Sequence, residues 1–132
     1  MASLIELTKK GYEFFARADV PGLIKELIDD DCVWISPGPE DKLPWSGTYK
    51  GKQDIARFFT QVGQNLEFDE FTPIEFVEQR ETVVVLGKLS GHARKTGKAV
   101  ADEWVHVFKY RDDKVVFWQE YVDTAAYILA MA

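Results

Sequence analysis

Thr82-Val-Val-Val-Leu-Gly-Lys-Leu-Ser-Gly-His-Ala-Arg94, Lys98-Ala-Val-Ala-Asp-Glu-Trp-Val-His-Val-Phe-Lys-Tyr110 and Lys114-Val-Val-Phe-Trp-Gln-Glu-Tyr-Val122 decide the fold of this chain. Each run is rich in β-branched and aromatic residues, the composition that suits a pleated, half-buried strand. Lys95-Thr-Gly97 and Arg111-Asp-Asp113 separate them, and Arg80-Glu81 separates the first from a similar run over about 67–80. Turns this tight make sequential hairpins, so the second half of the chain reads as an antiparallel meander of four strands.

Upstream of the meander the period is helical. Ser3-Leu-Ile-Glu6 has the form of a capping box, in which the serine accepts from a backbone amide, and predicts a helix from about Leu4 to Arg17. Asp19 caps a second helix with Pro21 near its start, where a missing N–H costs little, and Leu23, Ile24, Leu27 and Ile28 form its apolar face. Asp29-Asp-Asp31 is unfavourable at a helix C-terminus and marks a stop. Cys32-Val-Trp-Ile-Ser36 is a short strand ended by Pro37-Gly38-Pro39, and the residues up to Gly51 read as a loop. Ile55, Phe58, Phe59 and Val62 repeat at helical spacing over about Lys52 to Asn65. After the meander, Asp123-Thr124 offers a cap for a short helix carrying Tyr127, Ile128 and Leu129. The expected architecture is α+β over residues 1–132 as one domain, with three N-terminal helices on a strongly curved, mainly antiparallel sheet and a short C-terminal helix.

Composition narrows the function. Nine Phe, five Tyr and four Trp in 132 residues supply a core and also the material of an apolar ligand cavity. A formal charge of −6 repels phosphate backbones and gives nucleic-acid binding no electrostatic support. A lone Cys32 excludes an internal disulfide and a cysteine zinc site, and His92 and His106 show no metal-ligand spacing, so no metal or cofactor is expected. Met1-Ala2-Ser3 leads straight into an amphipathic helix and no apolar run is long enough to cross a membrane, which makes a soluble cytoplasmic protein the expectation.

Three stretches carry a family likeness. Asp29-Asp-Asp-Cys-Val-Trp-Ile-Ser-Pro37, Gly47-Thr-Tyr-Lys-Gly51 followed by Ile55 and Phe58-Phe59, and His106-Val-Phe-Lys-Tyr-Arg-Asp-Asp-Lys-Val115 with Trp118-Gln-Glu-Tyr-Val-Asp123 resemble the NTF2-like family, in particular its SnoaL-like and ketosteroid-isomerase-related members. The resemblance covers essentially the whole chain and implies a cone-shaped sheet whose concave face and helices enclose an apolar cavity. Because the family hosts isomerases, cyclases, dehydratases, epoxide hydrolases and non-enzymes, it implies the fold more sharply than the activity.

The resemblance also sets the phase of the strands, since alternate side chains point to opposite faces. The implied cavity set is Trp34 and Ser36, then Asp102, Trp104 and His106, then Trp118, Glu120 and Val122, with Phe58 from the third helix. Tyr12 and His106 fall where ketosteroid isomerases place two donors to a developing oxyanion; the plainer alternatives are a core tyrosine and a half-buried strand histidine. The isomerases' catalytic aspartate corresponds to Ser36, which has no basicity to replace it. Glu120 is the substitute: it matches an essential carboxylate of limonene-epoxide-hydrolase-like relatives, and on a desolvated face its pKa is expected to rise. The hydrolases' Arg-x-Asp partner is not legible around Lys88-Leu-Ser90, nor their water-holding tyrosine and asparagine between Pro39 and Trp45, which disfavours epoxide hydrolysis. Asp102 either orients His106 or is a surface acid at a strand end, Asp123 is a helix cap first and a site residue second, and His92 is expected in solvent. The opposite face would carry Ala101, Val105, Val107, Phe117 and Tyr121, too apolar for water, so a homodimer through the convex sheet face is expected. Two functions remain open: proton transfer on a small hydrophobic carbonyl compound, with Glu120, His106 and Tyr12 as the catalytic group, or ligand binding or dimerisation without a reaction.

Overall fold

A computed structural model describes residues 3–132, which run as α1 (Leu4–Ala16), α2 (Val20–Leu27), β1 (Ile28–Ser36), β2 (Gly47–Lys50), α3 (Gly51–Asn65), β3 (Leu66–Gln79), β4 (Thr82–Ala93), β5 (Ala99–Arg111), β6 (Lys114–Tyr121) and α4 (Thr124–Met131). One six-stranded sheet has the order β2-β1-β6-β5-β4-β3. The meander is antiparallel throughout, whereas β1 returns to lie parallel to β6. The α+β cone read from the sequence is the observed class.

Local chemistry accounts for the boundaries. Ser3 Oγ accepts from the Glu6 N–H at 3.1 Å and starts α1, and Asp19 Oδ1 accepts from the Gly22 N–H at 2.9 Å to start α2. Asp112 and Asp113 both adopt positive φ, 52° and 62°, the conformation that a two-residue turn needs to match the twist of β5 and β6. Register shifts interrupt β3 between Phe68 and Glu70 and again between Pro73 and Glu75, and bulges of this kind bend a strand. Gly91 serves the first bend: a Cβ there would lie 2.0 Å from the carbonyl oxygen of Glu67.

Two expectations are corrected. Asp29-Asp-Asp31 belongs to β1 and not to a helix end; α2 stops at Leu27, and the β1–β6 register slips between Ile28 and Val33, so the acidic residues occupy the irregular stretch. The segment before Gly51 is not all loop, because Gly47–Lys50 pairs with Val33–Ser36 as an edge strand. Four residues next to a run of turn-formers carry too little periodicity to register as a strand.

Burial alternates along β4 and β5, with Val83, Val85 and Leu89 and then Val100, Asp102, Trp104 and His106 on the covered face. The helices pack over that concave face. On the convex side Leu86, Val105, Val107, Phe117 and Tyr121 are half-buried or exposed, with Tyr121 at 53%. No helix among the described residues is long and apolar enough to cross a membrane.

Candidate functional site

The site is built from the strand register. Trp34 of β1 pairs with Trp118 of β6, Phe108 of β5 also pairs with Trp118, and His106 pairs with Glu120. Two residues on from Trp34, Ser36 reaches the same level as Glu120 and donates its Oγ–H to Oε2 in a short hydrogen bond. A polar row, Ser36–Glu120–His106, therefore crosses β1, β6 and β5 between aromatic side chains. Trp34 stacks on Trp118 with centroids 4.1 Å apart on one side of the row, and Trp104 stacks on His106 at 4.0 Å on the other.

Helix α1 closes the row. The Tyr12 hydroxyl lies 2.7 Å from His106 Nδ1. Burial raises the Tyr12 pKa well above its ordinary value, so it stays a phenol. A neutral imidazole that accepts at Nδ1 carries its proton on Nε2. Burial also drives the His106 pKa down to about 3, which keeps the ring neutral at ordinary pH. Nε2 stands 4.0 Å from Glu120 Oε1, beyond hydrogen-bond length. Desolvation raises Glu120 to about 7 although the Ser36 bond opposes the shift. The two groups are thus not an ion pair: when the carboxyl ionises, the histidine has already lost its charge.

Their separation leaves room for a third atom. An oxygen off the line joining Nε2 and Oε1 could sit roughly 2.8 Å from both. The adjoining cavity holds about 100 Å³, and its walls include Tyr12, Trp34, Phe58, Trp104, Trp118 and Val122. That is less than the roughly 150 Å³ of an engineered apolar cavity that takes benzene, so a molecule larger than one ring must displace side chains. A wider cleft of about 690 Å³ between α1 and β3 shares Tyr12, Phe15, Leu66, Phe68 and Phe71 with the cavity, so one layer of mostly aromatic side chains separates the two.

Of the ten residues proposed from sequence, Tyr12, Trp34, Phe58, Trp104, His106, Trp118, Glu120 and Val122 line this cavity. Ser36 and Asp102 do not. Ser36 is buried behind Glu120 and touches its carboxylate, so it acts on a ligand only through that group. Asp102 is neither a surface acid nor a partner of His106: it is 7% exposed, its Oδ2 accepts from the Tyr127 hydroxyl at 2.8 Å and its Oδ1 from the Asp123 N–H at 3.2 Å. These bonds fasten α4 to the sheet, and desolvation raises the Asp102 pKa. Asp123 is exposed and caps α4 by accepting from the Ala126 N–H at 3.3 Å. His92 is half-buried instead of free in solvent, with Nε2 3.0 Å from Glu67.

Several lining residues escaped the sequence reading. Phe15 lies one helical turn beyond Tyr12, and that spacing could have found it. Trp45 sits in an irregular segment with no period, and Tyr127 comes from α4, whose role depends on the distant Asp102. Among the described residues no group of three His, Cys, Asp or Glu side chains is placed to hold a metal ion.

Comparison with known proteins identifies the family of the fold. The model of the SnoaL-like domain family matches residues 9–118. An NTF2-like protein of unknown function from Burkholderia pseudomallei is similar at 28% identity and a TM-score of 0.90, over 100% of this chain and 99% of that one. An NTF2-like protein from Burkholderia xenovorans is 30% identical, with a TM-score of 0.87 over 98% of this chain and 95% of its own. TerC, in crystals grown with polyporic acid, is 28% identical with a TM-score of 0.85, over 97% of each chain. No protein among the curated sequences matches.

Proposed function

The chain belongs to the SnoaL-like domain family, and on that premise we propose that it binds a small hydrophobic carbonyl compound in the concave cavity and transfers a proton on it. The observation that carries this reading is a buried carboxyl poised near neutrality, Glu120, 4.0 Å from a neutral imidazole in one cavity wall, so that a carbonyl oxygen at Nε2 brings its neighbouring carbon to the carboxylate. Glu120 as carboxylate takes a proton from the carbon beside the carbonyl. The enolate oxygen is stabilised by His106 Nε2–H, and Glu120 returns the proton to the same or a conjugated carbon, leaving the enzyme unchanged. A general base works best with a pKa close to the working pH, which burial supplies here. Tyr12 acts through His106: by donating to Nδ1 it keeps the Nε2 proton in place, and it is a positioning residue. The isomerisation, cyclisation and dehydration classes share this step. TerC, in its crystals with polyporic acid, is a relative of the same size with an organic acid as companion, which supports a small-molecule ligand here.

The second reading, a binding module without a reaction, is favoured by one observation. Stacked tryptophans occupy much of the concave face and leave only about 100 Å³. A screen of enones, cyclic ketones and polyketide-like compounds against the parent and Glu120→Gln separates the two. Turnover by the parent, with binding kept and turnover reduced at least about a hundredfold in the variant, is the expected result. Binding with no turnover by either protein decides for the module.

We further propose that the convex face pairs two copies of the chain. Leu86 pairs in register with Val105, and Val105 with Tyr121, while Val107 and Phe117 lie on the same face. Val77, Leu86 and Tyr121 are 46%, 39% and 53% exposed, and an apolar stripe of this kind is normally covered. Sedimentation equilibrium is expected to give twice the chain mass; a monomer at all accessible concentrations contradicts the pairing.

A further inference from the structure

The Glu120 carboxyl has one hydrogen-bond donor among the described residues, the Ser36 hydroxyl, which reaches Oε2 in a short bond. The titratable groups that face it are Tyr12 from α1, Asp102 and His106 from β5 and Tyr127 from α4, and none of them is a cation while His106 stays neutral. Burial and the Asp102 charge both disfavour ionisation of Glu120, and the Ser36 bond opposes them.

The backbone holds Ser36 for this contact. Pro37 follows it and confines it to extended dihedrals, and it pairs with Gly47 of β2 at the end of β1. The pleat then sends its side chain to the same covered face as Trp34, two residues back. Ser36 is 1% exposed, so bulk water does not compete for its hydroxyl. The two oxygens of Glu120 are therefore unlike. Oε2 accepts from Ser36, whereas Oε1 has no donor and lies 4.0 Å from His106 Nε2. An oxygen already accepting a hydrogen bond is the poorer site for a proton, and the other is left free to take one.

We propose that Ser36 is a positioning residue for Glu120: its hydroxyl holds Oε2, keeps Oε1 on the His106 side, and so makes Oε1 the atom that takes and returns the substrate proton. This rests on Glu120 being the base, as proposed above. Without the hydroxyl the carboxyl has no donor at all; it is ionised less often at neutral pH and is free to turn about its last bond.

The test needs no substrate. Protein labelled with ¹³C at the glutamate carboxyls is titrated by NMR, and the signal missing from Glu120→Gln assigns Glu120. The parent midpoint is expected at about 7. Ser36→Ala should raise it by about one pH unit, the effect of losing one hydrogen bond to a charged group. Ser36→Thr keeps the hydroxyl and should titrate like the parent. Should Ser36→Ala fail to fold, Ser36→Cys, close in shape with a weaker donor, should show the same rise reduced in size. A crystal structure of Ser36→Ala is expected to show the Glu120 carboxyl turned from its parental plane. A parent midpoint of about 7 that Ser36→Ala leaves in place, equal shifts in the alanine and threonine variants, or a carboxyl that keeps its plane would overturn the role of Ser36 and leave Glu120 as the base. A parent midpoint at the ordinary 4.5 overturns the base, and this inference with it.

Discussion

Replacing Glu120 with glutamine is expected to make the protein more stable at pH 8, by about 3 kcal/mol, the free energy of moving a glutamate from its ordinary 4.5 to about 7. The sign follows from proton linkage. The folded state holds the Glu120 proton up to about pH 7, whereas the unfolded chain releases it above about 4.5. Between those values the folded state binds more protons, so stability contributed by this group is present below pH 4.5 and is lost as pH rises to 7. Glutamine imitates the protonated acid and cannot ionise, so the variant escapes the loss. His106 bends the curve the other way. Its folded pKa of about 3 lies below the ordinary 6.5, so its contribution is present above 6.5 and falls away with acid. In the parent the two trends oppose each other between about 4.5 and 6.5, and in Glu120→Gln the histidine slope is no longer opposed by that of Glu120. Urea unfolding of both proteins at pH 5 and pH 8 reads the difference directly. An advantage for glutamine at pH 8 that shrinks toward zero at pH 5 is the expected pattern. A variant equal to or weaker than the parent at pH 8 would show that Glu120 is solvated when charged, and would remove the base from the proposed reaction.

A carboxyl held at the expense of stability is what the proposed role of Glu120 requires. The same logic separates what the sequence disclosed from what it did not. The meander was legible because composition and three tight turns both report locally, and Asp112-Asp113 needs nothing distant to form its turn. The inward phase of β1, β5 and β6 was legible only through family likeness, since Val and Phe occupy both faces of these strands. Asp102 was misread because the partner that buries it, the Tyr127 hydroxyl, comes from a helix 25 residues on. Ser36 was placed on the right face, but its contact with Glu120 joins strands that are 84 residues apart in sequence. Trp45 gave no signal at all: an irregular segment has no period from which to read a direction. What sequence conveys is local preference; the site is made of long-range contacts between side chains whose local surroundings are ordinary.

Gly87 shows the same division at one position and carries the second large effect. Glycine inside a strand ordinarily weakens it by about 0.5–1 kcal/mol relative to alanine, so Gly87→Ala would be expected to stabilise β4 on propensity alone. The structure reverses the sign. Gly87 pairs with Trp104 across β4 and β5, and a Cβ at Gly87 would lie 2.2 Å from Trp104 Cζ2, 2.4 Å from Cη2 and 2.6 Å from Cε2. No real contact is that short, and the indole cannot retreat without breaking its stacking on His106 and Phe71. Alanine must therefore tilt the indole into the cavity or push the strands apart. Forcing atoms into a filled core costs about 1–3 kcal/mol, and the rigidity of the ring puts this case at about 3 kcal/mol or above. The companion experiment is a double-mutant cycle with Trp104→Leu, which removes the ring edge that the new methyl strikes. Trp104→Leu alone is destabilising because it empties part of the core, but in its presence Gly87→Ala should cost at least about 2 kcal/mol less than in the parent. Denaturant unfolding of the four proteins gives the coupling. Gly87→Ala with parental stability would mean that Trp104 is free to move, and that its stacking on His106 and Phe71 does not hold the cavity wall in place.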